Sequence, residues 1–286
     1  MEPRIEAFFD TQTFTVSYLV SDPGTRRAVV IDSVLDFDPK SARTATRSAD
    51  RILAAVKAEN LTVEWILETH AHADHLSAAA YLKPLLGAKV AIGEHIAQVQ
   101  KAFAPLFGAS DVTGDGAPFD RLLKDGETLS LGGMTIAVMA TPGHTPACVS
   151  YRIGGNVFVG DTLFMPDYGT ARTDFPGGDA KQLYRSIRRI LALDPQTVLW
   201  MCHDYKAPGR DDYAWRTTVG EERTRNVHVH DGIGEAEFVA TRTARDKTLA
   251  VPALILPSVQ VNIRAGAMPP PEADGQVYLK LPVNRL

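Results

Sequence analysis

The segment Thr69-His70-Ala71-His72-Ala73-Asp74-His75-Leu76 places three imidazoles and a carboxylate within six residues. The chain has eight histidines in all, so three in one short run is a poor match to a chance polar loop. Neutral imidazole beside carboxylate suits a borderline metal such as zinc or iron. Upstream, Val63–Glu68 reads as a buried strand. Downstream, His75–Leu82 reads as a helix. The cluster therefore sits on a strand-to-helix loop, where side chains can converge without belonging to an apolar face.

Three further donors stand at the ends of apolar strands. Thr141-Pro142-Gly143-His144-Thr145 follows the strand Met134–Ala140 and ends it with a Pro-Gly turn. Val157-Phe158-Val159-Gly160 leads into Asp161, and Thr197–Cys202 leads into His203. A sheet brings such strand ends to one edge. For His144 alone a satisfied structural histidine is the better reading. With three strand ends and the first cluster together, a shared metal centre is.

In order and approximate spacing, the His-x-His-x-Asp-His cluster, Gly143-His144-Thr145, Gly160-Asp161 and His203 resemble the metallo-β-lactamase superfamily. The similarity spans about residues 10 to 230. It implies a four-layer α/β fold, an αββα sandwich with two face-to-face sheets, helices outside and metal at one edge. The residue pattern agrees. Strands are expected near 14–20, 27–32, 63–69, 88–92, 134–140, 147–153, 156–160 and 197–202, and helices near 48–59, 75–86, 94–107 and 179–193.

Composition narrows the partners. The chain has 286 residues, a net charge of −4 and a pI near 6.1, which argues against a nucleic-acid or anionic-membrane surface. The first residues lack a basic start and an apolar run, and no stretch approaches a membrane span. Two cysteines, Cys148 and Cys202, make no disulfide framework, so a reducing cytoplasm is the expected compartment. Val34–Ser48 reads as a polar surface insertion. Residues 1–231 read as the catalytic domain and 232–286 as an extension packed on it, too short to bury much core alone. Within the extension, Glu235–Thr248 reads as a helix. Pro252–Ile263 reads as an ordered, extended wrap, because prolines flank Ala253–Leu256. Val277–Leu281 reads as a short last strand.

Three segments point to a branch of the superfamily: Gly169–Phe175, His203-Asp204-Tyr205, and Glu221–Asn226. Together they resemble the persulfide dioxygenases, which are related to glyoxalase II. Lys206–Arg210 and the extension resemble the bacterial beta-lactamase-hydrolase-like proteins of sulfide detoxification. The resemblance implies one iron(II) per chain, oxidising glutathione persulfide with O2 to sulfite and glutathione. It carries the iron ligands to His70, His144 and Asp161, a set that leaves positions open for substrate and O2. His72, Asp74, His75 and His203 then orient those ligands or hold a second metal. Asp74 and Tyr205 are the candidate catalytic groups, and Arg172, Tyr205 and His228 the candidate substrate contacts. For Arg172 the competing reading is an internal pair with Asp174. Related enzymes form dimers, so a homodimer is expected.

This chain departs from its relatives at some positions. Asn226-Val227-His228 stands where relatives tend to carry Asn-Pro-Arg, which turns a fixed basic contact into a weaker or titratable one. Thr170 stands where some relatives have Cys, and Cys202 where Ala is common. Cys148 reads as a buried small hydrophobe and Cys202 as an inert strand residue, with a redox-active Cys202 as the competing reading. The competing function is a hydrolase of the glyoxalase II type, with two zinc(II) ions and Asp161 bridging them, acting on a glutathione thioester.

Overall fold

The structure, a computed structural model, describes residues 2–285. Alternation along the strands sets its layers. In β2 (Val16–Ser21) and β3 (Arg27–Ile31), Val16, Tyr18, Val20, Val29 and Ile31 point into one core, while Leu19, Ala28 and Val30 point into another. Strands with both faces apolar must be covered on both sides. They join β1 (Arg4–Phe9), β6 (Thr62–Leu67), β8 (Lys89–Gly93) and β9 (Arg121–Leu123) in the order β1-β2-β3-β6-β8-β9. The first three strands are antiparallel and β3, β6, β8 and β9 are parallel.

A second sheet runs β10 (Thr128–Leu131), β11 (Met134–Ala140), β12 (Val149–Ile153), β13 (Asn156–Phe158), β14 (Val198–Trp200) and β15 (Arg216–Thr218) in sequence order. Only β13 and β14 pair in parallel. Ile136, Val138, Val149, Tyr151, Ile153 and Phe158 face the first sheet across the central core. Outside the first sheet lie α1 (Arg47–Ala58), α2 (Ala79–Leu86), α3 (Ile96–Phe107) and α7 (Ile255–Asn262). Outside the second lie α4 (Ala180–Leu191), α5 (Val219–Arg225) and α6 (Glu235–Asp246), where Phe238 is fully buried beside Leu183 and Ile187. The four-layer αββα expectation is met. Among the described residues no helix is long and apolar enough to cross a membrane.

Four local expectations are corrected. Val34–Ser48 is not a plain polar insertion: β4 (Val34–Asp38) and β5 (Arg43–Ala45) form a hairpin, because Val34 and Leu35 are buried. The helix expected from His75 begins only at Ala79, since Leu76–Ser77 pairs with β4 as β7. Pro252–Ile263 does not wrap in extended form. It contains α7, in which Pro257 is the third residue, where a missing N–H breaks no helical hydrogen bond. Val277–Leu281 is not a strand. The Gln260 side chain satisfies its backbone instead, accepting from the Lys280 amide at 2.9 Å and donating to the Lys280 carbonyl at 3.0 Å.

Candidate metal centre

Each candidate donor follows a strand end, and the backbone there is held by contacts across the two sheets. After β6, the Thr69 amide donates to Asp32 Oδ1 at 2.7 Å and its hydroxyl donates to Asp32 Oδ2 at 2.8 Å. The Thr69 carbonyl accepts from the Val149 amide of the opposite sheet at 2.9 Å. Two glycines are required. A Cβ at Gly143, φ 139°, would come within 2.3 Å of the Leu183 backbone, and one at Gly160, φ 53°, within 2.6 Å of Thr69 Oγ1. These close approaches aim the next residues, His144 and Asp161, at the edge. After β14, the Cys202 carbonyl accepts from the Val16 amide at 2.7 Å, and Thr15 and His203 form an isolated bridge between the sheets.

Among the groups in which the donors converge, two contain only the expected ligands; Cys202 joins two others, with Asp32 and His72 and with Asp161 and His203. His70, His144 and Asp161 have one ligand atom each within 4.8 Å of the others; His72, Asp74, His75 and His203 form a second such group. His70 Nε2 and His144 Nε2 lie 3.8 and 3.7 Å from Asp161 Oδ2. His203 Nε2 lies 3.2 Å from Asp74 Oδ2 and 3.3 Å from Asp161 Oδ1. His144 Nδ1 donates to the Arg172 carbonyl at 2.8 Å, which leaves the Nε2 lone pair free to ligate. His70 Nε2, His75 Nε2, His203 Nε2, Asp74 Oδ2 and Asp161 Oδ1 are buried without a hydrogen-bond partner among the described residues. Buried polar atoms are rarely left so. Imidazole nitrogens and carboxylate oxygens facing one another in this way fit a metal ion.

Protonation follows burial and charge. Burial and the neighbouring His72 and His144 hold His70 well below the usual imidazole range, so it is a neutral donor. Burial, then His72, lowers His75. Burial opposes ionisation of Asp74, but His203 and His75 outweigh it and hold its carboxyl low. His72 goes the other way. Burial disfavours its charge, yet Asp32 at 3.0 Å and Glu68 at 3.4 Å from Nε2 push it well up. Burial raises Glu68, whereas for Asp32 the charge and hydrogen bond of His72 outweigh burial and lower its carboxyl.

A cavity of about 410 Å³ opens from Asp74, His144 and Asp161. Tyr205 lines it, stacked on His203 with ring centroids 5.5 Å apart and planes 16° off parallel. Burial, then the charges of Asp74 and Asp161, push its phenol well up, so it stays protonated and can donate a hydrogen bond. Arg172 also lines the cavity, but its fork is filled: Nε and Nη2 donate to Asp174 at 2.6 and 2.7 Å, and Nη1 donates to the Ala250 carbonyl at 2.7 Å. The internal pair weighed against the substrate role is present. Arg172→Ala is expected to cost about 1 kcal/mol of stability and leave KM nearly unchanged, read from thermal melts beside steady-state kinetics.

His228 does not line the cavity. It lies beneath it, accepting at Nδ1 from the Thr170 amide at 3.1 Å. Burial, then Arg242 and Arg245, hold it down to about 4, so it is neutral. Asp204 is likewise turned inward, accepting from both Arg210 Nη atoms at 2.6 Å. Cys148 and Cys202 are buried, and burial pushes the Cys148 thiol up to about 12 and Cys202 well up. The extension contributes a cavity wall from Leu249 to Leu254 and two cations, Arg242 and Arg245. Arg242 is paired with Asp246, whereas Arg245 has no carboxylate within 4.0 Å among the described residues. Sequence reasoning passed over Arg245, Asp32 and Glu68. Only Asp32 carried a readable signal, a carboxylate closing the apolar run Val29-Val30-Ile31.

Comparison with known proteins agrees with this geometry. The metallo-beta-lactamase superfamily model matches residues 10–203, and the chain belongs to that superfamily. The "Probable metallo-hydrolase" of Burkholderia pseudomallei is 55% identical over 99% of both chains. The human mitochondrial persulfide dioxygenase ETHE1 is 29% identical, over 93% of this chain and 90% of that one. The crystal structure of ETHE1 from Myxococcus xanthus matches with a TM-score of 0.74 at 31% identity, covering 92% of this chain and 100% of that one. The protein is a metal-dependent enzyme of this superfamily.

Proposed function

We propose that the protein is a persulfide dioxygenase holding one iron(II) on His70, His144 and Asp161. The observation that carries the reading is that these three donors converge as a set without His72, which groups instead with Asp74, His75 and His203. Two imidazoles and one carboxylate are the donor set of non-haem iron(II) oxygenases, with positions left for two further ligands. When bound, the iron would activate O2 and take the substrate sulfur. The reaction is glutathione persulfide plus O2 plus water giving glutathione, sulfite and two protons. Asp74, held ionised beside His203, accepts a hydrogen bond from the bound substrate, and the persulfide S–H proton leaves to water. Tyr205 Oη donates a hydrogen bond to the substrate in the cavity. His203, buried between Asp74 and Asp161, keeps both carboxylates in place.

In this reading residues 1–231 carry the chemistry and 232–286 complete the substrate cavity. Arg245, the cavity cation with no carboxylate partner among the described residues, answers a carboxylate of the thiol carrier. Arg245→Ala is expected to raise KM for glutathione persulfide about three- to tenfold with kcat little changed, because a remote contact contributes uniform binding. Unchanged KM in steady-state kinetics would remove Arg245 from the substrate site.

A second reading rests on the group His72, Asp74, His75 and His203, which by itself offers four donors for a second ion. Two zinc ions and thioester hydrolysis would then follow. Anaerobic metal analysis combined with oxygen uptake decides between them. One iron per chain and uptake dependent on glutathione persulfide are expected. Two zincs, thioester hydrolysis and no uptake would establish the hydrolase instead.

A further inference from the structure

Asn262, the last residue of α7, is buried at 4% exposure, and its side chain spends all its hydrogen bonds on the histidine loop. Its Nδ2 donates to the carbonyls of His72 and His75, both at 2.8 Å, and its Oδ1 accepts from the Ser77 amide at 2.8 Å. These partners lie 185 to 190 residues earlier in the chain. A second contact falls on the same stretch: a Cβ at Gly266, φ 82°, would meet the Ser77 carbonyl at 2.9 Å and the Ala80 amide at 3.0 Å. The helix end is itself fixed from the far side, where Gln100 Nε2 donates to the Ile263 carbonyl at 2.9 Å.

The loop needs such a brace. Residues 70–75 form no regular ladder in which the His72 and His75 carbonyls would find partners, and each buried carbonyl must be paired. We propose that Asn262 is a positioning residue of the metal centre. By pairing both carbonyls with one rigid amide it fixes the loop curvature that points His70 at one donor group and His72, Asp74 and His75 at the other. The extension is then part of the metal site, although it supplies no ligand. The inference holds for iron or zinc alike, so it stands or falls apart from the dioxygenase reading.

The test uses the full-length protein loaded with zinc, and separately with iron under anaerobic conditions, and follows metal release to a chelator. Asn262→Ala and Asn262→Asp are compared with Gln260→Ala, which removes three part-buried hydrogen bonds of the same helix that do not touch the loop. Aspartate keeps the volume and the acceptor for Ser77 but loses both donors. Both Asn262 variants are expected to weaken metal retention by at least about tenfold, the usual effect of losing a group that orients ligands. Gln260→Ala should lower the melting temperature and retain metal like the parent protein. Wild-type retention in Asn262→Asp would reduce the residue to a space filler and overturn the proposal. Equal metal loss in Gln260→Ala would do the same, by assigning the effect to general loosening of α7.

Discussion

Asp161→Ala is expected to give a folded protein that does not retain its metal and does not turn over. Asp161 lies at the meeting point of the two donor groups, within 3.8 Å of His70 and His144 by Oδ2 and 3.3 Å of His203 by Oδ1. Losing it should exceed the roughly 10–100-fold loss of affinity that follows removal of an orienting group. The sandwich should survive, because Asp161 stands beyond β13 and contributes nothing to the apolar clusters. Circular dichroism and elemental analysis check both halves of the expectation. Full metal content with full activity would sink the three-ligand assignment.

The second large effect concerns the extension. Ile255, Val259, Val261 and Ile263 are each at most 5% exposed and join the core that covers the outer face of the first sheet. Burying such a side chain contributes about 1.5–3 kcal/mol, so four contribute about 6–12 kcal/mol, against a total stability of about 5–15 kcal/mol for a typical domain. A chain ending at Gly232 should therefore aggregate, measured by light scattering. A truncated protein that remained soluble with an unchanged mass distribution would show that the first sheet does not depend on this cover.

The site was legible where chemistry and local pattern coincide. His70, His144, Asp161 and His203 each follow an apolar run that ends in a turn, so type and position together announced them. The strands with both faces buried were legible for the same reason. What escaped is what depends on distant partners. Two prolines near α7 read as breakers of regular structure, and only the position of Pro257 in the first turn makes the helix permissible. The β4–β5 hairpin carries a polar sequence because much of it faces solvent. Asn262 gave no local sign beyond a polar residue in an apolar run. For Arg172 the sequence leaves a substrate contact and a pair with Asp174 both open, and only the folded geometry shows the guanidinium occupied by Asp174 and the Ala250 carbonyl.

The bridge between Thr15 and His203 marks the place where the first sheet touches the second at the donor edge. Donors are divided across that seam: the loop carrying His70 to His75 leaves the first sheet, while His144, Asp161 and His203 leave the second. An ion bound there is a crosslink between the two halves of the sandwich, closed by coordination rather than by a covalent bond. Its affinity is then also mechanical strength. At a free metal concentration one hundred times Kd it would add about 2.7 kcal/mol against unfolding, concentrated at the one seam where parting the sheets would also dismantle the catalyst.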